Sequence, residues 1–270
     1  MSETLMRFIT ILVLISLIGL IILLGNHAVF VITVYLICSY AFYEWLTFTS
    51  KSKVYIPIFL SLIFLLHYLP VIFIKYLSLA AIIFWSIVIV LMFFSTNRLK
   101  SIIKKYSNIF GLFILSVFFL HLVNFYPQTS GYNDDINLED GKYYLIFFIM
   151  LLSSIDIFSY LSGKIFGTLR VVPNISPNKT VQGYLGGYIF TIIMFSLFSN
   201  VFEVFLVNFD LLYLSFLILL AFSGDLFMSL VKRTYHIKDT GSLLPGHGGL
   251  LDRLDSYLPS VPLFYLWVII

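Results

Sequence analysis

Apolar runs long enough to cross a bilayer follow one another along almost the whole chain, separated by short polar stretches. Taking about 20 apolar residues per span, the pattern predicts helices near 8–25, 28–48, 54–70, 76–95, 109–126, 143–162, 184–201, 211–231 and 256–270, about nine in all. Apolar side chains lie on every side of these segments rather than along one stripe, as lipid contact requires. The expected fold is all-α, a polytopic integral membrane protein. No small-residue cleavage pattern follows Gly25, so the first run reads as a retained span rather than a secretory signal. No internal repeat or soluble domain interrupts the series, and 1–270 reads as a single membrane domain. Within it, 1–142 supplies N-terminal helices and 143–270 a catalytic half.

Composition strengthens that reading. Of 270 residues 60% are hydrophobic, 19% aromatic and only 11% charged, with mean hydropathy +1.03; a water-soluble domain carries about 25% charged residues. The formal net charge of +3 is too small to argue for nucleic acid. Cys38 is the single cysteine and lies in an apolar run, which excludes a disulfide framework or a thiolate metal site and suggests a small buried hydrophobe. With the N-terminus cytoplasmic, every Lys and Arg except Lys75 and Lys142 falls on the inner side, as the positive-inside rule expects. The cluster Arg98, Lys100, Lys104 and Lys105 reads as a headgroup-facing anchor. The acidic loop 127–142, with Asp134, Asp135, Glu139 and Asp140, reads as a solvated outer loop.

Two cytoplasmic segments, 163–183 and 232–255, are richer in Gly, Pro and polar residues than the other connections, and chemistry is expected there. Asp225, Ser229 and Lys232 share one face of a helix end. Asp252 and Asp255, three apart, are placed to share another. Carboxylates brought from separate helices suit a hard divalent cation, and Mg²⁺ leaves most of its positions to water and phosphate. Pro245-Gly-His-Gly-Gly249 offers backbone N–H groups to an anion ahead of a helix start. His247 suits a proton carrier, a phosphate donor or a structural position equally. Ser176-Pro177 reads as an N-cap and first helical residue, which places Lys179 and Thr180 at a helix N-terminus, with Gly183, Gly186 and Gly187 allowing close helix approach. Asp156, inside an apolar span, is a functional-site candidate because an intramembrane acid is costly. Glu44 is accounted for by interfacial anchoring through its neighbour Trp45.

Ser229-Leu-Val-Lys-Arg233, Lys238-Asp239, Gly241, Pro245, His247-Gly-Gly249 and Asp252-Arg-Leu-Asp255 together resemble the signature of the phosphatidate cytidylyltransferases, or CDP-diglyceride synthetases. Ser176-Pro-Asn-Lys-Thr180, with the three glycines that follow, is similar to a second stretch of that family. Two departures stand out: Ile157 and Phe158 follow Asp156 where small or hydroxyl residues are usual, and Val181-Gln182 stands where Trp and often Glu are found.

The resemblance implies a Mg²⁺-dependent reaction of CTP with phosphatidate, giving CDP-diacylglycerol and pyrophosphate in an inner or cell membrane. Asp225 and Asp252 are the expected principal metal ligands. Asp255 and Asp239 are secondary candidates for ligation or for orienting basic residues, and a second cation is allowed for. Lys232, Arg233, Lys238 and Arg253 would neutralise phosphate charge, and Ser176, Lys179 and Thr180 would complete an anion cradle. Ser229, His247, Gly248 and Gly249 complete the expected substrate-binding set; a homodimer is a possible assembly. A CDP-alcohol phosphotransferase would show an Asp-Gly…Ala-Arg…Gly…Asp…Asp run, absent here. A transporter would gather charge near the midplane.

Overall fold

The computed structural model describes residues 16, 18–50, 52–126, 138–199, 211–243 and 248–269. Its helices are α1 (His27–Thr49), α2 (Tyr55–Leu66), α3 (Val71–Phe94), α4 (Thr96–Asn124), α5 (Leu138–Phe166), α6 (Val181–Ser199), α7 (Leu211–Thr234), the single turn α8 (Leu251–Leu254) and α9 (Tyr257–Ile269). A two-stranded hairpin, β1 (Arg170–Val172) and β2 (Ser176–Thr180), joins α5 to α6. The all-α membrane architecture is therefore as expected, and α1, α3, α4, α5 from Gly141, and α7 are each long and apolar enough to cross a bilayer. Of the span expected at 8–25, residues 18–24 are helical and most of the remainder lies outside the described residues, as do Asp134 and Asp135.

Three expected spans differ, and the one expected at 256–270 is a helix of 13 residues. The segment expected to cross at 54–70 forms a helix of 12 residues, a rise of only ~18 Å against a hydrocarbon core of roughly 30 Å. It stops ahead of Pro70, because a residue preceding proline disfavours helical backbone, and α3 begins directly after that proline. Conversely α4 starts at Thr96, well before the expected 109, so the basic cluster is a helical arm rather than a loop. At Tyr106 (φ −120°, ψ 22°) the backbone leaves helical geometry and the arm bends into the span.

Trp45 explains what happens at that bend. It is almost fully buried, not an interfacial anchor; its Nε1 donates to the Ser107 carbonyl at 2.9 Å, and its ring occupies the space a Gly111 side chain would need. The apolar core runs through α4, α7 and α9. The most apolar stretch of α7 is 67% buried, whereas that of α3 is 28% buried, so α7 sits inside the bundle and α3 faces lipid. Cys38 is fully buried in α1, as expected.

The hairpin corrects the second expected helix start. Ser176–Thr180 pairs antiparallel with β1, Arg170 opposite Thr180 and Val172 opposite Ser176, and Ile175 N–H closes the turn on the Val172 carbonyl. The N-cap of α6 is Thr180, four residues later than expected: its hydroxyl accepts from Gly183 N at 3.1 Å. Helices α5 and α6 then pack in close contact, since a methyl on Gly186 or Gly187 would lie 1.9 or 2.0 Å from the hydroxyl of Ser162 or Ser159. Close approach through these glycines is as the sequence indicated.

Candidate active site

From Ala221 to Val231 helix α7 is buried except for one stripe, where Phe222, Asp225 and Ser229 keep partial exposure; Lys232 continues it, and Arg233 beside it is exposed. That is the face expected from their spacing. The helix ends just beyond it in a Schellman motif: His236 N–H and Ile237 N–H bond back to Arg233 and Lys232 carbonyls, and His236 takes the left-handed backbone (φ 58°) that closes such an end. The chain is thereby turned back toward the helix that carries the stripe.

The hairpin reaches the same place from the other side. Lys179, in β2, forms an ion pair with Asp225, so the two stretches singled out in the sequence meet. Burial alone would draw the Lys179 ammonium down; Asp225 first, then Asp255 and Asp156, outweigh it and raise it above its ordinary value. Thr180 is committed to capping α6. Ser176 and its neighbours shape the turn, and Arg233 Nε reaches the Ile175 carbonyl at 3.5 Å, joining the end of α7 to the hairpin. Gln182, the departure from the family pattern, accepts from Thr168 N and Leu169 N at 3.1 Å each and donates to the Thr168 hydroxyl at 2.7 Å. It fixes where the chain leaves α5.

Two further acids act on this pair. Gly224 lets the chain after α8 lie directly on α7: a methyl there would stand 2.1 Å from the Asp255 carbonyl oxygen. Asp255 thus comes beside Asp225. Burial, and then the charges of Asp225 and Asp156, push the Asp255 carboxyl well above its ordinary range, although Lys179 and Lys232 pull the other way. Asp156 approaches from α5 and is open at the surface.

Asp252 has other partners. Its Oδ1 accepts from Lys232 Nζ at 2.7 Å, and its Oδ2 accepts from Thr240 N (2.9 Å), Thr240 Oγ1 (3.0 Å) and Gly249 N (3.1 Å). Burial alone would raise this carboxyl, but the Lys232 ammonium and the Thr240 and Gly249 N–H groups hold it below the usual carboxylate range. The structure therefore divides the expected acids: Asp225 and Asp255 meet around Lys179 with Asp156, while Asp252 fastens the loop between α7 and α8. Among the described residues no three His, Cys, Asp or Glu side chains cluster closely enough to hold a metal by themselves.

Glu44 is the residue that sequence reasoning undervalued. It sits in α1, 2% exposed, and its carboxylate accepts from Leu250 N (3.0 Å), Leu251 N (2.9 Å) and Thr240 Oγ1 (3.4 Å). The helix start that the glycine-rich run was expected to offer to a substrate anion is filled by the protein's own carboxylate. A buried charge without such donors costs several kcal/mol, and this cost was the available signal: an acid in an apolar run needs a partner. Gly248 takes positive φ (82°), a conformation that favours glycine. Ser229 lies on the α7 stripe, and Lys238, Asp239 and Arg253 are exposed around the loop. His247 lies outside the described residues.

Comparison with known proteins gives the family. A family model described as the cytidylyltransferase family matches residues 5–270, and the chain belongs to that family. Over 133 residues it is 42% identical to an uncharacterized protein, YnbB, of Escherichia coli, covering 49% of this chain and 44% of that protein. It is 39% identical over 131 residues to a phosphatidate cytidylyltransferase of Bacillus subtilis, covering 48% and 49%. A phosphatidate cytidylyltransferase of Aquifex aeolicus is 30% identical over 202 residues, 74% of this chain and 71% of that enzyme. The match to the first two spans about half the length of those curated relatives.

Proposed function

We propose that this chain transfers the cytidylyl group of CTP to phosphatidate, forming CDP-diacylglycerol and releasing pyrophosphate. The observation that carries this is the meeting of Lys179 and Asp225, which unites two polar stretches at one end of an otherwise apolar bundle. Such a site admits a water-soluble nucleotide from one side while the acyl chains of a lipid phosphate stay among the helices. Similarity to relatives named phosphatidate cytidylyltransferase supports the same reading.

A phosphate oxygen of phosphatidate attacks the α-phosphorus of CTP, and the bond from that phosphorus to the bridging oxygen of the β-phosphate breaks. The phosphomonoester is already nucleophilic at neutral pH, so the protein's task is to place the two phosphates in line and screen their charge. Lys179, held by Asp225, provides a fixed cation where hairpin and helix meet. Arg233, Lys238 and Arg253 are the further cations for triphosphate and headgroup, and Lys232 orients Asp252.

The residues fit Mg²⁺. Asp225, Asp255 and Asp156 place more negative charge around Lys179 than one ammonium balances, and Mg²⁺ needs only one or two carboxylates when phosphate and water supply the rest. Asp225 and Asp255 would hold it, while Asp252, whose oxygens are taken by Lys232, Thr240 and Gly249, would support the site through the loop. When bound, the metal neutralises charge on the transferring and leaving phosphates. The excess of Lys and Arg at this end favours a cytoplasmic orientation.

The direct test supplies detergent-purified protein with CTP, phosphatidate and Mg²⁺ and measures CDP-lipid and pyrophosphate. Equal yields of both are expected. A folded protein that makes neither would sink the reading. In the same assay Asp225→Asn should lower kcat/KM about 100-fold or more.

A further inference from the structure

We propose that Glu44 is a positioning residue for the transfer reaction, a carboxylate from the N-terminal helices that fastens Thr240 to Leu250 and Leu251. The inference rests on the proposed function for its catalytic consequence, but its geometry stands alone. Glu44 takes the N–H groups of Leu250 and Leu251 at one end of the loop and the Thr240 hydroxyl at the other. Thr240 and Gly249 are also the residues that hold Asp252 Oδ2. One carboxylate thus draws together both ends of the segment that fixes the second.

Two glycines show that the loop is built around Glu44. A methyl on Gly241 would stand 2.3 Å from Glu44 Oε1, and one on Gly249 2.8 Å from Oε2. At Gly241 the carboxylate occupies the room, and at Gly249 the Thr240 hydroxyl and Gly241 N stand nearer still, which is a different demand from leaving N–H groups free for a phosphate. The N–H groups of Thr240, Gly249, Leu250 and Leu251 are all committed to Asp252 or Glu44. The described part of the loop is therefore a scaffold that sets Asp252 and Lys232. Phosphate charge is left to the side-chain cations.

Glu44→Gln keeps the size of the side chain but turns one acceptor into a donor facing loop donors. Hydrogen–deuterium exchange of the full chain in detergent tests the clamp without reference to activity. The amides of Leu250 and Leu251 should exchange about ten-fold faster or more, with the α7 amides unchanged. Natural rates at those two amides would overturn the proposal. In the cytidylyl-transfer assay the same variant should lose about 100-fold in kcat, as expected when a reacting constellation is misplaced by around an ångström, with KM for phosphatidate within about three-fold of the natural value. Near-natural kcat would overturn it.

A compensating pair guards against a variant that does not fold. Gly241→Ala alone drives a methyl into the carboxylate and should impair turnover. Combined with Glu44→Asp, which withdraws the carboxylate by one methylene, it should recover part of that loss. Strictly additive losses would count against the clamp. If the natural protein makes no CDP-lipid, the functional reading fails while the exchange measurement still decides the role of Glu44 in the loop.

Discussion

Asp252 shows how far one residue's role is set by its neighbours. Spacing alone places it three residues from Asp255, which suggests joint work, yet its two oxygens accept from Lys232, Thr240 and Gly249. Its carboxyl is held below the ordinary value of ~3.9, so its contribution to stability is present above that value and lost as pH falls through its lower folded value. Thermal scans at decreasing pH should show a steeper acid loss in the natural protein than in Asp252→Asn; equal slopes would remove Asp252 from the account. Lys179 is the complementary case. Lys179→Met removes the cation paired with Asp225 and acting on Asp255 and Asp156 and should lower kcat/KM about 100-fold, ~2.7 kcal/mol, measured at saturating Mg²⁺. The stripe of Asp225, Ser229 and Lys232 was legible because helix geometry relates residues three and four apart. Glu44 was not, because its partner Leu250 lies 206 positions away and no local period connects them.

Among the elements, the hairpin is where local signals pointed two ways. Ser176-Pro177 has the form of a helix start, but Val171-Val172 is β-branched and Pro173-Asn174 favours a turn, and these decide for a strand pair. The actual cap, Thr180, stands directly before the apolar run. Short α2 has a similar cause: hydropathy continues through Leu69, whereas Pro70 limits helical backbone. The α5–α6 contact was more readable, since its small residues recur along the sequence. Gly187→Ala should destabilise the protein by about 1–3 kcal/mol through overpacking, seen as a lower Tm. Ser159→Ala should restore much of it, because the clash is chiefly with the Ser159 hydroxyl at 2.0 Å and its Cβ stands back at 3.2 Å. No rescue would mean that another contact governs the packing.

Across the whole molecule, the membrane class followed from composition, while the dependence of one half on the other did not. Helix α1 grips α4 through Trp45 and the loop before α8 through Glu44, and α9 packs on α3 and α4. Residues 143–270 expressed alone should therefore lack a stable fold and transfer activity, judged by size-exclusion behaviour and product formation; an active fragment would refute this interdependence. The neighbouring grips of Trp45 and Glu44 also place the basic arm of α4 at the same end as the site. Arg98, Lys104 and Lys105 are exposed on that arm. Each such cation near a bilayer is worth about 1 kcal/mol of attraction to anionic headgroups. On the proposed function, that attraction would make the bilayer patch beside the site a reservoir richer than the bulk membrane in the charge class of the lipid substrate. Salt thins that reservoir, so turnover on dilute phosphatidate should fall with ionic strength more steeply than turnover at lipid saturation.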